Sequence, residues 1–248
     1  MRKAVPVIIL WLSAVVLAVG ADPKAAPSAT ASARPQFRPA LLGSGPTSLI
    51  NQIDSAALLK AGQKDGAVMF SAMVAADGTV SDAQTYRPMP DSKALEDEVA
   101  TKLAATKLVP AIYNHQPVPV LFYGTAIFSV SEDKPHLRIV LHQDPEELKK
   151  ESDFIAPQPV LGNGSRFAGL SNVQENQDVP VSGIVDLALT VDAQGNPKEM
   201  AVVGEEPPLV GFAEAAMNDF EGAKFIPAFS NGDPAESSTV MPVFYPID

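Results

Sequence analysis

The sequence predicts an α+β chain made of two tandem two-layer sandwiches, each a small antiparallel sheet with one helix packed on it. Three observations predict it. The chain repeats itself at an offset of 117 residues: Gly66 matches Gly183, Val74 matches Val191, and Pro110-Ala111 matches Pro227-Ala228. Each copy opens with an apolar/polar alternation of period two, the mark of a strand with one face on a core. Each copy then carries one apolar stripe at i, i+4 and i+8, the mark of a single helix.

Residues 1–21 read as a signal peptide. Arg2 and Lys3 precede an apolar run, and Val19-Gly20-Ala21 supplies the small residues that a signal peptidase selects ahead of Asp22. The competing reading is an uncleaved membrane anchor, because the apolar run is close to the lower limit of about 17 residues for a spanning helix. The small-residue exit favours cleavage. The expected location is therefore periplasmic or secreted, the alternative being an inner-membrane anchor facing the periplasm. Contact with a membrane is expected only through residues 1–21. Residues 22–38 are rich in Pro, Ala and Ser without periodicity, and read as a disordered tether.

The first copy runs over residues 39–130. Val68, Phe70, Ala72 and Val74 alternate with Met69, Ser71 and Met73 as a half-buried strand. Asp77-Gly78 then makes a hairpin turn, since glycine accepts positive φ, and a second strand follows at 80–86. Leu95, Val99 and Leu103 form the helical stripe, with Asp91 or Ser92 as N-cap and Glu98 placed to pair with Lys102. Leu108 closes the core just before Pro110-Ala111, and an apolar last strand spans 118–130. Residues 131–155 are expected to be a semi-rigid linker with few core contacts. A short strand at 137–141 and a charged turn at 145–150 are the only elements it suggests.

The second copy runs over residues 156–248. Val185, Leu187, Leu189 and Val191 alternate with Asp186, Ala188 and Thr190, and Gln194-Gly195-Asn196 holds the turn. Pro207-Pro208 suits a first helical turn. The stripe is Phe212, Ala216 and Phe220, Phe225 precedes Pro227-Ala228, and the last strand lies at 238–245.

In the order strand, Asp-Gly or Gln-Gly turn, strand, helix, hydrophobic-x-Pro-Ala step and last strand, each copy resembles the C-terminal domain of the TonB family of energy transducers. The resemblance covers both repeats. It implies a cell-envelope protein with a transport connection, whose partner is a short segment of an outer-membrane receptor. Small sheets of this kind accept an extended peptide at an edge strand. The last strand of each copy is the candidate surface: Val118, Val120 and Phe122 in the first, and Val240, Met241, Val243, Phe244 and Tyr245 in the second. The expected function is thus non-enzymatic protein binding through a sheet edge. The alternative is a structural or adaptor protein of the envelope with no role in energy transduction, in which such edges are buried between the copies.

Composition narrows the remaining classes. The chain has no cysteine, which excludes disulfides, thiolate chemistry and a lipoprotein anchor. Its formal charge is −11, which argues against nucleic acid as a partner and against docking on an anionic membrane. His115, His136 and His142 have no metal-binding spacing and read as surface or loop residues. Leu42-Gly43-Ser44-Gly45 is turn chemistry, since its counterpart has Asn163 in place of Ser44. Glu146-Glu147 and Glu205-Glu206 read as solvated charges. No catalytic residue, cofactor or metal site is expected.

Overall fold

The computed structural model describes residues 36–150, 152–173 and 180–247; the signal peptide and residues 22–35 of the tether lie outside them. The first half comprises β1 (Phe37–Arg38), α1 (Leu49–Gln52), α2 (Ser55–Lys60), β2 (Gly66–Val74), β3 (Val80–Tyr86) and α3 (Lys93–Ala105). It continues with β4 (Ala111–Tyr113), β5 (Gln116–Val118) and β6 (Val120–Ser131). Next come β7 (Lys134–Val140) and α4 (Pro145–Leu148). The second half comprises β8 (Gln158–Val160), β9 (Gly183–Val191), β10 (Pro197–Glu206) and α5 (Phe212–Phe220). It ends with β11 (Lys224–Ile226), β12 (Ala228–Ser230), β13 (Asp233–Ala235) and β14 (Ser237–Tyr245). The chain is mixed α+β, and its strand pairings are antiparallel. No helix among the described residues is long and apolar enough to cross a membrane.

The repeat at 117 residues is also a repeat of register. β2 pairs β6 from Gly66 opposite Phe128 to Val74 opposite Val120. β9 pairs β14 from Gly183 opposite Tyr245 to Val191 opposite Ser237. The hairpin turns match as well. In each, the turn glycine accepts a 3.0 Å hydrogen bond on its carbonyl, Gly78 from Leu108 N–H and Gly195 from Phe225 N–H. Both glycines have positive φ (+87° and +80°), and a Cβ there would lie 2.1 Å and 2.0 Å from the Leu108 and Phe225 carbonyl oxygens. Close approach and left-handed backbone together require glycine.

Both helices form on their expected stripes. Leu95, Val99 and Leu103 of α3 are buried against β2 and β3, and Phe212, Ala216 and Phe220 of α5 against β9 and β10. Their N-termini are satisfied from a distance. Ser92 occupies the N-cap of α3 but makes no capping bond; the Gln63 side-chain carbonyl accepts Leu95 N–H at 3.0 Å instead. Pro207-Pro208 precedes α5, whose N-cap is Gly211. The Glu205 carboxylate accepts N–H bonds from Leu209, Gly211 and Ala213. Burial opposes that charge, but these donors hold the carboxyl below the usual range.

Three boundaries differ from the sequence expectation. Phe37 and Arg38 pair with Tyr113 and Ile112, so the last residues of the expected tether are part of the fold. Residues 134–140 are a full strand of the larger sheet, pairing β6 from Val140 opposite Thr125 to Lys134 opposite Ser131. The segment read as a linker is therefore part of the fold; its alternation is too polar on the outer face to announce a core strand. The halves are also interlocked. The six-stranded sheet runs β11-β8-β6-β2-β3 with β7 on β6, so it takes strands from both halves, whereas the second sheet is β10-β9-β14.

β6 explains the interlock. Val120, Phe122, Ala126 and Phe128 enter one core, with Val68, Phe70, Leu95, Leu103 and also Val160, Ile226 and Phe229 of the second half. Leu121 and Tyr123 of the same strand enter the other, with Leu187, Phe212, Phe225 and Val243. Truncating Phe122 removes a fully buried ring, so Phe122→Ala is expected to cost about 3–5 kcal/mol. Because β6 serves both cores, urea should unfold wild type and variant in one transition by circular dichroism. Two resolved transitions would show that the halves stand independently.

Candidate partner-binding edges

An extended partner needs a strand with one unpaired side. The last strand of the first half does not offer it. β6 has β2 along one edge, and β7 and β8 along the other. Val118, Val120 and Phe122 are interior residues. The physical reason is the apolar character of both faces of β6, which only a two-sided cover satisfies.

β14 has β9 on one edge and no strand on the other among the described residues. Met241, Val243 and Tyr245 point into the core, and Val240 and Phe244 are half-buried. The outer edge is nonetheless closed by side chains. The Asp144 carboxylate accepts Val240 N–H at 2.8 Å and the Thr239 hydroxyl at 3.4 Å. Pro242 has no N–H to offer, and its carbonyl lies 3.3 Å from the Tyr86 hydroxyl. The Tyr86 ring stacks on Phe244 at 5.0 Å. Proline and inward-pointing charge are common ways of blunting a strand edge.

The closing carboxylate belongs to a polar strap, residues 142–144, between β7 and α4. Gln143 is fully buried. Its Nε2 donates to the carbonyls of Phe70 (3.0 Å) and Gly124 (2.9 Å), and its Oε1 accepts the Tyr86 hydroxyl at 2.9 Å. Asp144 also accepts the N–H groups of Glu146 and Glu147, capping α4. Burial opposes its charge, but the N–H groups of Val240, Glu146 and Glu147 keep the carboxyl below the usual range. His142, expected to be a surface or loop residue, lies in the connection after β7 but is only 1% exposed, beside Phe154 at a ring distance of 5.8 Å. His115 sits in the β4–β5 turn and His136 on the exposed face of β7. An Asp-Pro pair ahead of two glutamates is a helix-start signal, so the cap on α4 was within reach of the sequence. The second oxygen's hold on Val240, 96 residues away, has no local signal.

One ion pair adds to the contact between halves. Arg87, after β3, makes a bidentate pair with Asp186 of β9 (2.6 and 2.9 Å) and approaches Glu206 at 3.6 Å. Asp186 is a polar face position of the alternation, as the sequence implies, but its face is turned to the first half.

Among the described residues β10 and β3, which lie at sheet ends as β14 does, each have one side without a paired strand. β10 is the longer. Val203 at its centre is 62% exposed, and Lys198, Glu199 and Glu206 are exposed along it. Beside β3 runs a cleft of about 460 Å³, lined in part by Asp82, Gln84, Met73, Leu170 and Phe244. No group of three or more acidic or histidine side chains among the described residues converges on a point that could hold a metal ion. Comparison with protein-family models, with curated proteins and with solved structures found no match.

Gln143 joins three buried partners. Gln143→Leu is expected to lower stability by about 2–4 kcal/mol, because it takes a donor from two buried carbonyls and leaves the Tyr86 hydroxyl only the longer contact to the Pro242 carbonyl. Chemical denaturation measures this; a loss below about 1 kcal/mol would mean that water replaces the amide.

Proposed function

We propose that this chain is a non-enzymatic interaction protein of the cell envelope, formed by two tandem copies of a two-layer module resembling the TonB C-terminal domain. On this reading it takes an extended segment of a protein partner on the open side of β10. The observation that carries it is the ten-residue length of β10 with no strand beyond it among the described residues, at a point where both last strands are already engaged. Val203, at the bulge between Val202 and Gly204, is exposed on this strand, and an added strand draws affinity from backbone pairing and selectivity from alternate side chains. The displaced titratable groups support a non-catalytic reading. Asp77 and Asp192 serve turns, Glu205 and Asp144 serve helix caps, and the raised tyrosines are buried in packing.

The adaptor reading has its own observation. β6 is buried between the halves, as expected of a protein whose edges serve internal assembly. Photo-crosslinking in the native envelope separates the two. A photoreactive side chain at Val203 should capture one discrete protein partner, and the same group at exposed Glu132, between β6 and β7, should not. No adduct at Val203 would leave the adaptor reading standing.

The location is tested by intact mass. The protein isolated from the envelope is expected to begin at Asp22; retention of residues 1–21 would place it on the inner membrane.

A further inference from the structure

We propose that residues 142–144 form an acid-released strap, which closes the outer edge of β14 at neutral pH and lifts from it when His142 is protonated. The strap reaches across the molecule with few atoms. The His142 carbonyl accepts the Thr125 hydroxyl of β6 at 2.9 Å, Gln143 holds β2, β6 and Tyr86, and Asp144 holds Val240 and Thr239 of β14. The four-residue α4 that follows it buries none of its residues, and the chain returns to the cores at Phe154 and Ile155.

His142 is the one residue of the strap whose polar side chain is not satisfied. Its Nδ1 is buried and has no hydrogen-bond partner. A neutral imidazole tolerates this with that nitrogen as an idle acceptor. A charged one must carry N–H on both nitrogens, and a buried N–H without an acceptor is costly. The charged groups around the ring act in both directions. Glu147 and Asp144, on the strap side, favour the charge; Arg138 of β7 opposes it; the segment at 152–157 presents the apolar Phe154. Burial outweighs the carboxylates and holds the imidazole below its ordinary value.

The sign follows from linkage. A strap lifted into water returns His142 to its ordinary pKa of about 6.5. As pH falls through that value the open form takes up a proton and the closed form does not, so the closed form loses ground. Asp144 sits below the usual carboxylate range and stays ionised through the same window, so its grip on Val240 does not titrate there. Opening exposes the Val240 N–H. That such an edge would serve a partner rests on the function proposed above; the release of the strap does not.

Amide hydrogen exchange on the mature chain, corrected for intrinsic rates, tests this at pH 7.5 and 5.5. Val240 and Glu146, both held by Asp144, should lose protection at least tenfold at pH 5.5, while Leu187 in the centre of β9 is unchanged. His142→Phe should keep both amides protected at both pH values. If that variant fails to fold, the His142 ring resonance can be titrated in wild type; its midpoint should coincide with the loss at Val240. Protection at Val240 that ignores pH, that falls in parallel with Leu187, or that is still lost in a folded His142→Phe overturns the proposal.

Discussion

β6 has to be buried on both faces and paired on both edges, and the arrangement of the rest of the molecule follows from that. A strand whose successive residues Val120, Leu121, Phe122 and Tyr123 are all buried cannot sit on the surface of a sandwich. One face goes to the core of its own half. The other must be covered by something else, and the second half supplies the cover through Leu187, Val243 and their neighbours. The edge left by β2 must also be filled, because buried N–H and C=O groups without partners are expensive. β7 and β8 fill it, one from each side of the strap. Two repeated halves thus become one interlocked structure without a large flat interface.

Polar groups then fix how the halves meet. Apolar contact is tolerant of sliding, whereas a satisfied buried polar network admits few alternatives. Gln143 sits where three strands converge, and the bidentate Arg87–Asp186 pair locates β9 against the end of β3. The ion pair is half-exposed, so its contribution to stability is modest, but its two parallel bonds set an angle as well as a distance. Tyr86 joins both devices: its ring stacks on Phe244, and its hydroxyl meets Gln143.

What was legible in the sequence was whatever depends on neighbours along the chain. The alternation at 185–191, the stripe Phe212-Ala216-Phe220 and the turn glycines are local consequences of burial and backbone geometry, and each formed as read. The repeat even carried the register, since an offset of 117 residues takes Gly66 opposite Phe128 onto Gly183 opposite Tyr245. What was not legible depends on contacts remote in sequence. Continuous apolarity at 120–128 announces a strand but not that two different cores share it. His142, Gln143 and Asp144 look like any polar connection, because their partners Thr125, Phe70, Tyr86 and Val240 lie 17 to 96 residues away. The site expectation fails for the same reason: Val118 is paired with Ala111 of β4, Val120 with Val160 of β8, and Phe122 lies between that bridge and the β7 pairing that begins at Thr125.

The two last strands make an internal comparison. They occupy the same register in their halves, so any difference between their outer edges comes from what the chain lays against them. β6 receives a strand, with seven residue pairs from Thr125 to Ser131. β14 receives one carboxylate, one tyrosine hydroxyl and a proline that removes a donor. Seven consecutive pairs open only in concert, because each holds its neighbours in place. A carboxylate on a single N–H is strong for one bond, yet it can part without disturbing the rest of the sheet. The first edge is therefore closed as part of the fold, whereas the second is closed by contacts that local fluctuation can break. A chain whose two halves repeat one strand register has in this way given the two corresponding edges different degrees of permanence.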